Sequence, residues 1–188
     1  KLNAPKDLEA FKIMIARTIG YGKLAAFYPI LEDYMKDLSP AVVKQAILSA
    51  GSSQAPCFIK TLLSFLPNKS TRSAARKALA RYEPAELLPI LEDVSRAPDT
   101  KTDLLIQLPA LAETMETQQA VDYLFALVQQ EDPIVKMEAL ESLHKIKARF
   151  PHLTIGWKRL IPIVTGDIDL YKDTLVLSYT AQHNLERY

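Results

Sequence analysis

The sequence predicts an all-helical fold, a right-handed α–α superhelix (solenoid) of about five stacked helical pairs. Three observations predict it. Glycine occurs only five times in 188 residues, Asn-Gly and Asp-Gly pairs are absent, and no segment sustains strict polar–apolar alternation, so strands and hairpin turns have no support. Apolar residues instead recur at spacings of three and four, as in Phe27, Ile30, Leu31, Tyr34, Met35, Leu38 and again in Val121, Leu124, Phe125, Val128. The third observation is a period. The second-helix starts expected at Ser39, Ser70, Asp99 and Asp132 follow one another at roughly thirty residues, the range of stacked helical hairpins, whose members bury their apolar stripes only against neighbours.

In order, the first helices of the pairs are expected at 22–37, 55–66, 84–96, 117–130 and 154–165, and the second at 40–52, 70–82, 99–114, 133–149 and 168–184. The pairs group as repeats 22–53, 55–82, 84–114 and 117–150, with a divergent C-terminal cap at 154–188, in one domain spanning 1–188. Ser39-Pro40 and Asp132-Pro133 each place a capping side chain before a proline at the first helical position. Within the first helices the pentapeptide PILED occurs twice, at Pro29 and Pro89, and Ile161-Pro162-Ile163-Val164 resembles a third use. A proline inside a helix removes one amide donor and bends the axis, so all three are expected to curve first helices over their neighbours.

The second helices carry a family resemblance. DPIVKMEALESL (132–143) resembles the second helix of the HEAT repeat: Asp-Pro, Val with a following cation, Ala, then Leu. SPAVVKQAILSA (39–50) keeps Val42 and Ala46 of that frame, and STRSAARKALARY (70–82) keeps Ala74 and Ala78. Small residues at these positions let helix axes approach closely. The resemblance implies an α-solenoid, and with it a role as an interaction scaffold. It also implies a polar ladder between repeats, of which only Asp37 and Lys136 are in place.

Composition narrows the function classes. Twenty-three Lys and Arg against 22 Asp and Glu leave no global field drawing the chain to nucleic acid or an anionic membrane. No apolar run reaches the roughly 18–20 residues that span a bilayer, and KLNAPKDLEAFK lacks the apolar centre of a signal peptide. The lone Cys57 is expected to be a small buried hydrophobe in a reducing, cytoplasmic setting. Starting at Lys1 and ending at NLERY, the sequence is expected to be cut from a longer protein.

Enzymatic motifs are thin. Glu141 and His144 form one Glu-x-x-His, whereas a carboxylate-bridged di-metal site needs two copies and further glutamates. His152 and His183 lack a partner in the sequence, Gly20–Lys23 lacks the spacing and hydroxyl of a phosphate loop, and no serine sits in a Gly-x-Ser-x-Gly elbow. No catalytic residue, metal or cofactor is expected. The distinctive feature is the basic segment 70–82 with Lys69, in which Lys69, Arg72, Arg76, Lys77 and Arg81 precede any acid. Read as a solvated face it has no ligand; read as a groove it takes an acidic peptide or phosphate. The expected contact centres on Arg72 and Arg76, with Lys44, Lys101 and Lys136 as weaker neighbours, in a non-catalytic module that binds a protein or acidic peptide. DNA binding, as in glycosylases built from HEAT-like repeats, is the alternative, and a regulatory domain of a membrane transporter is a third.

Overall fold

The first helix lies ahead of any that the periodicity singled out. The structure, a computed structural model, describes residues 4–156, 158, 160–162, 165 and 166, and begins with α1, Ala4–Tyr21. There follow α2 (Tyr28–Tyr34), α3 (Pro40–Ser53), α4 (Ile59–Ser64), α5 (Arg72–Leu79), α6 (Pro84–Arg96), α7 (Thr102–Leu105), α8 (Pro109–Ala112), α9 (Gln118–Val128) and α10 (Pro133–Arg149). Two short 3-10 turns, Ala25–Phe27 and Pro56–Phe58, lead into α2 and α4. The described residues are all-α and contain no strand.

The chain divides into two compact units, Lys1–Leu153 and Thr154–Tyr188. In the second, Ile161 and Pro162 are helical, while the helix expected at 168–184 and Trp157 lie outside the described residues. All that follows concerns the first unit. There α1 packs on α3, α3 on α5, and α8 on α10; α4 packs on α6 and α6 on α9; and α2–α3, α4–α5, α8–α9 and α9–α10 join the two series.

The helix starts expected at Ser39 and Asp132 hold, whereas those expected at Ser70 and Asp99 fall later, α5 beginning at Arg72 and α7 at Thr102 without a side-chain cap. Ser39 caps α3, its Oγ accepting from the Val42 amide, and Asp132 caps α10, its Oδ1 accepting from Ile134 at 2.8 Å and Val135 at 3.3 Å. In each case Pro occupies the first turn, where its missing N–H is not needed. The frame residues Val42, Ala46, Ala78, Val135, Ala139 and Leu143 are completely buried.

PILED does not have one use. Pro89 sits inside α6, as expected, and withholds a donor from the Ala85 carbonyl. Pro29 does not: it lies in the first turn of α2, because the Ala25–Phe27 turn already ends the preceding segment and a proline there costs no hydrogen bond. The expected helix 99–114 is also broken. It resolves into α7 and α8, since Pro109 cannot continue a helix from Thr102 and instead begins a new turn. Cys57 is a further correction. It is exposed, because in the tight turn Pro56–Phe58 it is Phe58 that turns fully into the core.

A period of thirty-one residues organises the start of the unit. It carries Ala25–Phe27 onto Pro56–Phe58 and the start of α2 onto that of α4. It also superposes Gly20 on Gly51. A Cβ on Gly20 would lie 2.7 Å from the Ser49 Cα, and one on Gly51 would lie 2.6 Å from the Ala78 Cβ. Both glycines are points where consecutive helices of the α1–α3–α5 row touch backbone to backbone.

Candidate functional site

The basic segment is assembled around the α4–α5 corner. The Asn68 side-chain carbonyl accepts from the Ser70 amide and hydroxyl, and the buried Thr71 donates its hydroxyl to Phe65 O at 2.9 Å. Arg72, half-buried, donates Nε to Leu66 O and Nη2 to Pro67 O, both at 2.8 Å. These bonds satisfy carbonyls of the turn between α4 and α5. Arg76 reaches across to the segment after α7, its Nη2 donating to Gln107 Oε1 at 3.0 Å, while its Nε is buried without a hydrogen-bond partner. Thus the two guanidinium groups expected to lead the contact are turned onto acceptors within the molecule.

Other cations face solvent. Lys44, Lys69, Lys77 and Lys101 are exposed, and Lys136 on α10 is half-buried. Lys44 borders an open hollow with Asp37, Val43, Phe65 and Ser70. Arg81 is exposed and donates Nη1 to Ser52 Oγ at 3.0 Å. Charge sign follows the helix series here: α3 carries Lys44 and no acid, and α5 carries Arg72, Arg76 and Lys77 and no acid. By contrast α2 carries Glu32 and Asp33 without a cation, and α6 carries Glu86, Glu92 and Asp93 against Arg96. Near-neutral composition therefore conceals two local fields of opposite sign.

The ladder residue Asp37 is occupied. Lys12 Nζ of α1 lies 2.5 Å from its Oδ2, and the Ser39 amide donates to Oδ1 at 2.9 Å. The Lys12 hydrogen bond, followed by that from Ser39, holds the Asp37 carboxyl below its ordinary range. Burial pushes the Tyr82 and Tyr123 phenols well up. Tyr82 donates to Ala55 O at 3.0 Å, so it ties the end of α5 to the segment before α4. Glu141 pairs with Lys145 at 2.8 Å, and that hydrogen bond lowers the Glu141 pKa and raises that of Lys145. Among the described residues no three His, Cys, Asp or Glu side chains are grouped to hold a metal ion. No described helix is long and apolar enough to cross a membrane.

One surface was missed altogether. Met14, Ile15, Thr18, Ile19, Leu24, Phe27 and Ile30 line an open groove between α1 and the 25–30 segment, almost without polar surface. The signal was present: Leu8, Phe11, Ile15 and Ile19 recur at helical spacing ahead of residue 22. No protein-family profile matches this sequence, and no match is found among curated proteins.

Proposed function

We propose that this chain is a non-catalytic protein-interaction module, a right-handed solenoid of HEAT-like hairpins whose second-helix side receives an acidic segment of a protein partner. The observation that supports it is the segregation of charge, with α3 and α5 free of acids while α2 and α6 are predominantly acidic. A cationic face on an otherwise balanced protein attracts a polyanion locally and steers it during encounter. In this reading Lys44, Lys69, Lys77 and Lys101 supply the outward charge. Arg72 and Arg76 hold the corner and the inter-repeat contact beneath them, with Lys136 further along the same side.

The experiment is titration of a glutamate-rich peptide and of a DNA duplex against wild type and Lys44→Glu/Lys77→Glu, at several salt concentrations. Both substitutions lie on exposed positions, so the fold is retained. Saturable peptide binding lost on charge reversal supports the reading. Duplex binding with a steep salt slope, in preference to peptide, would replace it with nucleic-acid binding, and indifference of both ligands to reversal would remove the face from consideration.

A further inference from the structure

We propose that Arg17 of α1 and Arg81, just after α5, form a pair of carboxylate forks astride α3, and that the acidic segment they select carries two carboxylates three residues apart with an apolar residue between them. This rests on the reading of the second-helix side as the receiver of an acidic partner, and it names the residues that decide which acidic segment is taken.

Both arginines are drawn onto one stripe of α3. Arg17 Nε donates to Gln45 Oε1 at 3.1 Å from the α1 side, and Arg81 Nη1 donates to Ser52 Oγ at 3.0 Å from the α5 side. Gln45, Leu48 and Ser52 follow one another at helical spacing and are all half-buried, so they form the outer edge of α3. Each guanidinium is therefore steadied by one neutral acceptor while the arginine itself stays exposed. What remains free is a fork in each case. With Nε engaged, Arg17 keeps its two terminal nitrogens side by side; with Nη1 engaged, Arg81 keeps Nε and Nη2 side by side. Either pair matches the two oxygens of a carboxylate. Arg72 differs, because its Nε and Nη2 are already taken by Leu66 O and Pro67 O.

No acid of the molecule occupies these forks. Among the described residues neither Arg17 nor Arg81 takes part in an ion pair. Helices α3 and α5 have no acid, and the acids of α1, Asp7 and Glu9, lie at its other end, where Glu9 accepts from Ser39. Glu83 is exposed at the start of α6 without pairing to Arg81.

The spacing follows from α3. Gln45 and Ser52 are two turns apart, about 10.5 Å along the axis. A polyproline II segment brings every third side chain to the same side after a rise of about 9 Å. Carboxylates at such positions reach the two forks, and the residues between them cross Leu48, which offers only apolar surface.

The test is NMR titration of the whole chain with two peptides of equal composition and charge, one containing Glu-Pro-Leu-Glu and the other Glu-Glu-Pro-Leu. Wild type should bind the first more tightly by about threefold or more. Arg17→Lys/Arg81→Lys keeps the net charge but removes both forks, and it should weaken the first peptide by about tenfold, roughly 1.4 kcal/mol. Circular dichroism and urea titration check that this variant keeps the fold. Equal affinity of the two peptides in wild type overturns the forks, as does wild-type affinity in the Arg→Lys variant. If binding is nonetheless lost in Lys44→Glu/Lys77→Glu, the acidic-partner reading stands and only the forks fall. If neither these peptides nor a glutamate-rich peptide binds, both fall together.

Discussion

Lys23 and Gln54 adopt left-handed backbones, with φ of 51° and 55°, and their side chains meet: Lys23 Nζ donates to Gln54 Oε1 at 3.1 Å. They are the non-glycine residues with positive φ among the described residues, and they are one period apart. Each reverses the chain after a helix of the α1–α3 row. At Lys23 the reversal is closed by Leu24 N donating to Ile19 O at 3.1 Å and Lys23 N to Gly20 O at 3.3 Å, the pattern in which glycine is usual.

A side chain in that conformation carries a steric cost that glycine avoids. Lys23→Gly should therefore raise the unfolding free energy by about 0.5–1 kcal/mol, because only an exposed hydrogen bond is lost. Gln54→Gly should gain less. Gln54 Nε2 also donates to Arg81 O at 2.7 Å, and that contact ties its turn to the end of α5. Urea denaturation of the two variants side by side measures the difference.

Glycine at 51 has a different reason, close approach rather than dihedral. Its Cβ would meet the Cα, Cβ and carbonyl of Ala78, none of which can rotate away. Gly51→Ala should cost about 1–3 kcal/mol or more through forced separation of α3 and α5, although alanine is the better helix former. Equal or improved stability would show that the two helices can part without penalty.

The contrast between these positions shows what the sequence could and could not convey. Ser39, Asp132 and their prolines act through bonds within three residues, so their meaning was local and readable. The buried Val42, Ala46, Val135 and Ala139 were likewise visible as a periodic stripe. Pro29 and Pro89 share an identical pentapeptide yet differ in place, because the turn Ala25–Phe27 that separates them in role precedes the shared residues. The partners of Arg72 and Arg76 within the molecule were not legible, because one-dimensional charge cannot show acceptors. Those acceptors, Leu66, Pro67 and Gln107, exist only once the α4–α5 corner and the α7–α8 break have formed. Helix α1 was passed over although its apolar spacing was as regular as that of its neighbours, since the repeat frame was counted from the capped helices after it.

Acid should loosen the first repeats. The folded-state pKa of Asp37 is depressed by Lys12 and the Ser39 amide, so its contribution is present above the unfolded value, about 3.9, and is lost as pH falls through the lower folded value. Between pH 6 and 3 wild type should lose more stability than Lys12→Met, whose Asp37 titrates closer to the unfolded group. Parallel pH profiles from denaturant titrations would remove Lys12–Asp37 as the cause.

Phe27 and Phe58 provide the sharpest comparison, being the same residue one period apart. Phe58 is completely buried with the Tyr28 ring tilted against it, so Phe58→Ala deletes a ring and leaves a cavity, at about 3–5 kcal/mol. Phe27 is half exposed and lines the open groove beside α1. Phe27→Ala should cost well under half as much, because the surface it surrenders was already wet. Measured in the isolated chain by thermal or denaturant unfolding, the two values should differ by about 2 kcal/mol or more. Similar losses at both positions would mean that Phe27 is covered in solution.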